Sequence, residues 1–137
     1  MKKNTSNRID ISCTQKPLTW LRICTDYEPT PLTESAPIGD TIGCSTLLIK
    51  NETSRMGLGS FKALGGSYAV FCLAEHKLEA ILKRVPSLEE VMQLSKDYLK
   101  DQTICCASAG NHGLSVAEGA RILGLKCEVF LSKLVPL

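Results

Sequence analysis

The sequence predicts an α/β protein in which helices flank a parallel β-sheet. Three short apolar segments, at residues 46–50, 103–107 and 127–131, have the length and composition of strands. Between them, apolar residues recur at helical spacing. A strand, a helix and a second strand in succession, with continuously apolar strands, are typical of a βαβ unit, whose two strands run parallel.

Residues 1–45 are predicted to form an irregular segment, and residues 46–137 a partial, truncated α/β domain. A chain of 137 residues that is 44% hydrophobic suits one modest domain. The first segment contains four prolines, each of which removes a backbone N–H donor and so disfavours helices and strands: Pro17, Pro29, Pro31 and Pro37.

The first half of the domain is predicted to contain a buried strand at 46–50 (TLLIK), a glycine-bearing loop and a long helix. Ser60 stands where the N-cap of that helix is expected. Gly65 and Gly66 in its first turns indicate close approach of another backbone or of a ligand, although ordinary packing also explains them. The helix is expected to bury one apolar stripe, formed by Leu64, Tyr68, Phe71, Ala74, Leu78 and Ile81.

The second half predicts two more helices and two more strands. Ser87 and Glu90 have the S-x-x-E spacing of a capping box, which starts a helix there. A strand at 103–107 leads into a helix over 111–123, and Gly124 is the expected left-handed residue at its end. The last apolar segment then completes the βαβ unit.

The charge pattern predicts no nucleic-acid partner and no membrane partner. The 16 basic and 14 acidic side chains are mixed along the chain and give a formal net charge of +2. No apolar run approaches the roughly 20 residues that cross a bilayer. The polar N-terminus lacks the apolar core of a secretory signal peptide, so a cytoplasmic location is expected.

The 7 cysteines include no Cys-x-x-Cys pair and predict neither a disulfide framework nor a zinc site. Several lie in apolar stretches, and we interpret them as small buried hydrophobic residues in a reducing compartment. The two histidines, His76 and His112, are too few and too far apart in the sequence for a metal site. No metal is therefore expected.

The first candidate for chemistry is a lysine at the predicted start of the long helix. Lys62 lies where the helix N-terminus carries partial positive charge, which is unfavourable for an ordinary cation. It follows a strand and a loop, and it stands beside Phe61, whose ring can face a planar cofactor. This placement suits a lysine amine that attaches covalently to an aldehyde. The alternative is an ordinary exposed lysine.

The second candidate is the turn at residues 108–113 (SAGNHG), which links a predicted strand to a helix. Its small residues allow a ligand to approach the backbone, and the free N–H groups at the helix start favour a carboxylate or a phosphate. A plain turn, in which Asn111 caps the helix and His112 is merely hydrogen-bonded, is the alternative. Neither a dinucleotide-binding nor a P-loop motif is present in the sequence.

Taken in order, these segments resemble the hallmark motifs of the fold-type-II pyridoxal-phosphate (PLP) enzymes, the tryptophan synthase β-like superfamily. The matching residues are 50–52 (KNE), 60–62 (SFK) and 108–112 (SAGNH), and residues 27–32 (YEPTPL) resemble the family's entry segment. Residues 51–70 are most similar to the diaminopropionate ammonia-lyase branch. The resemblance implies an incomplete N-terminal part of a two-domain enzyme.

The resemblance also implies roles for individual residues. Lys62 would bind PLP covalently and then move the proton of the substrate's Cα atom. Phe61 would pack near the cofactor ring, and Asn111 would hydrogen-bond the 3-oxygen of the cofactor. Backbone N–H groups and the serine hydroxyl of one loop would hold the substrate carboxylate: Ser108, Ala109, Gly110, Asn111 and His112.

The implied activity is that of a PLP-dependent ammonia-lyase. It would convert a small amino acid such as 2,3-diaminopropionate to a keto acid and ammonia by β-elimination. A threonine or serine dehydratase and a β-replacement enzyme use the same motifs and stay open, as does an inactive truncated product. We expect little activity from the 137-residue chain alone and a homodimer in the full-length parent.

Overall fold

The computed structural model describes residues 11–134, and its first part contains short elements. They are α1 (Gln15–Ile23), β1 (Leu32–Glu34), α2 (Ala36–Ile42) and β2 (Leu48–Lys50). Brief 3-10 helices at Ile11–Thr14 and Arg55–Gly57 precede and follow this group.

The prediction of an irregular segment over residues 1–45 is wrong where the structure describes it. Two of its four prolines lie in first turns of helices, Pro17 in α1 and Pro37 in α2. A proline is tolerated there because the first N–H groups of a helix have no intrahelical acceptor. The side chain of Trp20 in α1 is fully buried. The domain division at residue 45 stays a prediction.

The predicted buried strand at 46–50 is also corrected. β2 is three residues long, is exposed throughout and pairs antiparallel with β1, with Thr33 opposite Ile49. It therefore forms a separate two-stranded sheet and does not join the parallel sheet. An apolar run alone identifies a strand but not the element that covers it.

The second part contains the predicted βαβ unit. Its elements are α3 (Lys62–Leu82), α4 (Leu88–Tyr98), β3 (Thr103–Ala107), α5 (Asn111–Leu123) and β4 (Lys126–Phe130). β3 and β4 pair in parallel, as expected, and β4 begins one residue earlier than predicted. α3 packs along α5 and places the starts of the two helices side by side.

Local signals set the helix ends in this part. The Ser87 hydroxyl accepts the Glu90 N–H at 3.2 Å while the Glu90 carboxylate accepts the Ser87 N–H at 2.8 Å, which confirms the capping box. Gly124 ends α5 in the left-handed conformation, with φ of +67°. Both features were predicted from residue type and spacing.

The core lies between α1, α3, α4 and α5. Trp20 packs on Phe71, with ring centroids 5.3 Å apart. Ile81, predicted for the buried stripe of α3, is 44% exposed, and Leu82 beside it packs against the core instead. The largest fully buried apolar side chains are Trp20, Phe71, Leu78, Leu99, Leu123, Val70 and Val91.

The cysteines are less buried than predicted. All 7 are free thiols, but only Cys24 is buried, and burial raises its pKa to about 11. Cys13, Cys44 and Cys105 are exposed, so their interpretation as core residues is wrong. Within residues 11–134 there is no group of three or more potential metal ligands, and no helix there is long and apolar enough to cross a membrane.

Candidate active site

Lys62 is the first residue of α3, and its side chain is exposed. The N–H of Lys62 donates to the buried Ser60 hydroxyl at 3.3 Å, so this serine supports the helix start from one position before the N-cap residue, Phe61. The Phe61 ring is 67% exposed beside it. The Phe61 ring and the Lys62 amine, which were predicted to stand side by side, are therefore both exposed at the start of α3.

The two glycines of α3 have different surroundings. A Cβ atom on Gly66 would lie 2.2 Å from the Ser115 Oγ of α5, so this glycine permits close approach of the second helix. A Cβ atom on Gly65 would have nothing within 4 Å. Gly65 instead faces an open cavity, which leaves room for a ligand there.

That cavity has a volume of about 460 Å³ and brings two of the predicted site segments together. Its size is within the usual range for sites of small ligands. Lys62 of α3 and His112 of α5 line the same space, although they are far apart in the sequence. The complete lining is Phe61, Lys62, Gly65, Gly66 and His112.

The turn between β3 and α5 is organised by the Ser108 hydroxyl. The Ser108 Oγ accepts the N–H of Gly113 at 3.1 Å and that of Gly110 at 3.4 Å. The N–H groups of Asn111 and His112, at the first two positions of α5, have no acceptor within residues 11–134. Such N–H groups at a helix start attract anions, so two donors stay available for a carboxylate.

The predicted substrate loop is divided between two neighbouring cavities. Ser108, Ala109 and Gly110 line a second, apolar cavity of about 350 Å³ rather than the one that contains Lys62. Asn111 is exposed at the start of α5 and lines neither cavity. The structure thus brings Phe61, Lys62 and His112 together and leaves Asn111 at the edge of that group.

A buried arginine is the main feature that the sequence reasoning missed. The Arg55 guanidinium is 4% exposed and binds the Glu52 carboxylate through two hydrogen bonds of 2.6 and 2.9 Å. It also donates to the Glu28 carbonyl at 2.8 Å and to the Thr30 hydroxyl at 2.7 Å. This network joins the entry segment to the residues that precede α3; the spacing of Glu52 and Arg55 was the available signal.

The Glu52 carboxylate predicts a specific loss of stability in acid. Hydrogen bonds from Arg55 and then Thr30 lower the pKa of Glu52 to about 2. Because the pKa is lower in the folded state, the stabilisation is complete above the ordinary glutamate pKa of roughly 4.3 and is lost as the pH falls toward 2. We expect the difference in unfolding free energy between the wild type and Glu52→Gln, measured in urea, to shrink over that interval. A constant difference would contradict the assignment.

Most of the chain matches one known protein family. Residues 23–136 match the family model described as "Pyridoxal-phosphate dependent enzyme". The chain belongs to this family. The SFK and SAGNH segments lie within the matched residues, so the predicted PLP family and its α/β fold are confirmed.

Among curated PLP enzymes, the chain is similar to two diaminopropionate ammonia-lyases. It is 37% identical to the Salmonella typhimurium protein over 108 residues, which are 79% of this chain and 27% of that protein. It is 32% identical to the Escherichia coli K12 protein over 112 residues, 78% of this chain and 26% of the other. The chain thus spans about a quarter of the length of these relatives.

The fold also matches a solved structure of the same kind. Holo diaminopropionate ammonia lyase from Escherichia coli superimposes with a TM-score of 0.73 and 29% identity, over 91% of this chain and 31% of that one. The agreement confirms that the chain has part of a fold-type-II PLP enzyme fold.

The residues of the Lys62 cavity fit PLP chemically. A primary amine is needed for the aldehyde, and Lys62 supplies one at the mouth of an open cavity. The exposed Phe61 ring offers an apolar face to a planar ring, and Gly65 leaves space beside it. The free N–H groups of Asn111 and His112 suit an anionic group on the amino acid.

Proposed function

We propose that the chain is part of a PLP-dependent ammonia-lyase that acts on a small amino acid such as 2,3-diaminopropionate. The observation that carries the proposal is the cavity shared by Lys62 and His112. In the reaction, the substrate loses a proton from Cα and ammonia from Cβ, and water then releases a keto acid and a second ammonia. The similarity to the diaminopropionate ammonia-lyases supports this choice of substrate.

The Lys62 amine would bind the cofactor covalently and, when free, take the proton from the substrate's Cα atom. PLP, when bound, accepts the electron pair that the proton leaves behind. Phe61 would pack against the cofactor ring, and the Asn111 amide would donate a hydrogen bond to the 3-oxygen of the cofactor. These three side chains are exposed at the adjacent starts of α3 and α5, which supports the assignment.

The substrate carboxylate would be held at the start of α5. The N–H groups of Asn111 and His112 are free, whereas those of Gly110 and Gly113 already donate to the Ser108 hydroxyl. Because that hydroxyl accepts both bonds, its hydrogen can still point at a carboxylate. Ser108 would therefore shape the loop and donate one hydrogen bond, while Ala109 and Gly110 allow the backbone to approach the substrate.

We further propose a cytoplasmic location, since the 7 cysteines are free thiols, as expected in a reducing compartment. A homodimer of the longer protein stays a prediction. Because the chain spans about a quarter of its relatives' length, we expect it to bind PLP weakly and to turn over little substrate by itself.

Reductive trapping tests the role of Lys62. After PLP and borohydride are added, peptide mass spectrometry should find the pyridoxyl group mainly on Lys62, because this amine faces the cavity. Lys62→Ala should remove most of the label. Lys77→Ala, which removes another exposed lysine of α3, is the matched control and should leave the labelling of Lys62 unchanged. Even labelling of all lysines would refute the proposal.

A further inference from the structure

A buried hydroxyl joins the two helix starts that carry the candidate site. The Ser115 Oγ of α5 lies 2.6 Å from the Lys62 carbonyl oxygen and 3.0 Å from that of Ala63. It also accepts the Ser67 N–H at 3.1 Å. A hydroxyl has a single hydrogen, so the shorter contact indicates donation to the Lys62 carbonyl. Ser115 is fully buried.

The turn that bears Lys62 has little stability of its own. Its N-cap position, Phe61, provides no side-chain hydrogen bond to the helix. Two glycines, Gly65 and Gly66, follow within the first turns, and glycine is among the poorest helix formers. Local support comes from the Ser60 hydroxyl, which accepts the Lys62 N–H at 3.3 Å. A helix start with so little local support frays, and a frayed turn would not hold the Lys62 amine at a fixed place.

Ser115 is also close to the start of α5, the second helix start of the site. It lies one turn after Asn111 and His112 on the same helix, α5. Its hydrogen bonds to α3 therefore fix the Lys62 turn relative to the free N–H groups of α5. Close approach requires Gly66, because a Cβ atom there would lie 2.2 Å from the Ser115 Oγ.

We propose that Ser115 is a positioning residue, whose hydroxyl holds the Lys62 turn of α3 at a fixed distance from the anion-binding start of α5. The inference rests on the proposed function of Lys62. Ser115 does not itself contact the substrate; it acts by ordering the backbone from which the amine extends. It lines neither of the two cavities, in agreement with that role.

The test compares three variants of the full 137-residue chain. Ser115→Ala removes the hydroxyl, and Ser115→Cys keeps its approximate shape with a much weaker donor. Ser95→Ala is the matched control: Ser95 is also fully buried, and its hydroxyl donates to the Val91 carbonyl at 2.6 Å within α4, away from the site. Urea unfolding measures the stability that each variant loses.

Two readouts follow the Lys62 turn directly. The first is the ratio of pyridoxyl label on Lys62 to that on Lys77 after borohydride trapping, over a range of pH. The second is amide hydrogen exchange at Gly66 and Ser67, measured by NMR without any cofactor. We expect Ser115→Ala to lower the labelling ratio about fivefold, which corresponds to one hydrogen bond, and to speed exchange at both amides. Ser115→Cys should be intermediate, and Ser95→Ala should change neither readout.

The possible outcomes separate the positioning role from the proposed function. A wild-type chain that does not prefer Lys62 refutes the proposed function, and the positioning role with it. A preference for Lys62 that persists in Ser115→Ala refutes the positioning role alone. A lost preference without faster exchange at Gly66 and Ser67 refutes positioning through the α3 turn. Equal effects of Ser115→Ala and Ser95→Ala would show that only general stability matters.

Discussion

Replacing Gly119 by alanine is expected to destabilise the protein by about 3 kcal/mol, near the upper end of the cost of overpacking a core. A Cβ atom on Gly119 would lie 2.7 Å from the Ser67 Cα atom and 2.9 Å from the Ser67 carbonyl oxygen. Both are backbone atoms of α3, so no side-chain rotation can relieve the clash. The helices would have to move apart.

Gly65→Ala is the matched control, because it changes another helical glycine by the same methyl group. A Cβ atom there would have nothing within 4 Å. Alanine should therefore leave stability unchanged or raise it by up to about 1 kcal/mol through helix propensity. Urea unfolding of both variants measures the difference. A loss of stability in Gly119→Ala no greater than in Gly65→Ala would show that α3 and α5 are not as close as described.

The separation of α3 and α5 also matters for the site. Lys62 and His112 share a cavity because these two helices are in contact near their starts. Gly119→Ala should therefore lower the trapping of PLP on Lys62 in the fraction of the chain that stays folded. Gly65→Ala keeps the helices in place, so any loss of trapping there would come from the narrower cavity alone.

The elements of the βαβ unit were predictable because their signals are local. The apolar run of β3, the capping box at Ser87 and the glycine at the end of α5 each act within a few residues. β1 and the exposure of β2 were not predictable in the same way. Three-residue strands carry little pattern, and their burial depends on what packs over them.

In the candidate site, too, local features were predictable from the sequence, whereas contacts between distant segments were not. The residue types at Lys62 and in the Ser108 turn marked both as candidates, and the resemblance to the PLP enzymes implied their roles, which stay predictions. Ser115 and Arg55 were missed because their roles depend on contacts between distant segments, such as the hydrogen bond from Ser115 to the Lys62 carbonyl. The two glycines of α3 gave a correct signal of close approach, but only the structure separates Gly66, which faces α5, from Gly65, which faces the cavity.

Arg55→Met is expected to cost about 3 kcal/mol, the lower end of the range for breaking a buried ion pair by removing one partner. The variant keeps an apolar stem but leaves the Glu52 carboxylate, the Glu28 carbonyl and the Thr30 hydroxyl without the Arg55 donors. The contact of the guanidinium with the Tyr27 ring, 5.5 Å from the ring centroid, is lost as well. Thermal and urea unfolding measure the cost.

Arg84→Met is the matched control. Arg84 also binds a glutamate, Glu90, through two guanidinium nitrogens, but this pair lies at the surface. Exposed ion pairs are screened by water and contribute little to stability, so this variant should unfold close to the wild type. Comparable losses in Arg55→Met and Arg84→Met would contradict the importance of burial at Arg55.

A double variant separates the cost of leaving the Glu52 charge unpaired from the cost of losing the Arg55 hydrogen bonds. In Arg55→Met the Glu52 carboxylate loses its cation, and much of the expected cost comes from that unpaired charge. Glu52→Leu in the Arg55→Met background removes the charge, so the double variant should be more stable than Arg55→Met alone. If instead the losses of unfolding free energy from the two substitutions add, Arg55 and Glu52 do not act as a pair. The network would then not be what orders the entry segment against the residues before α3.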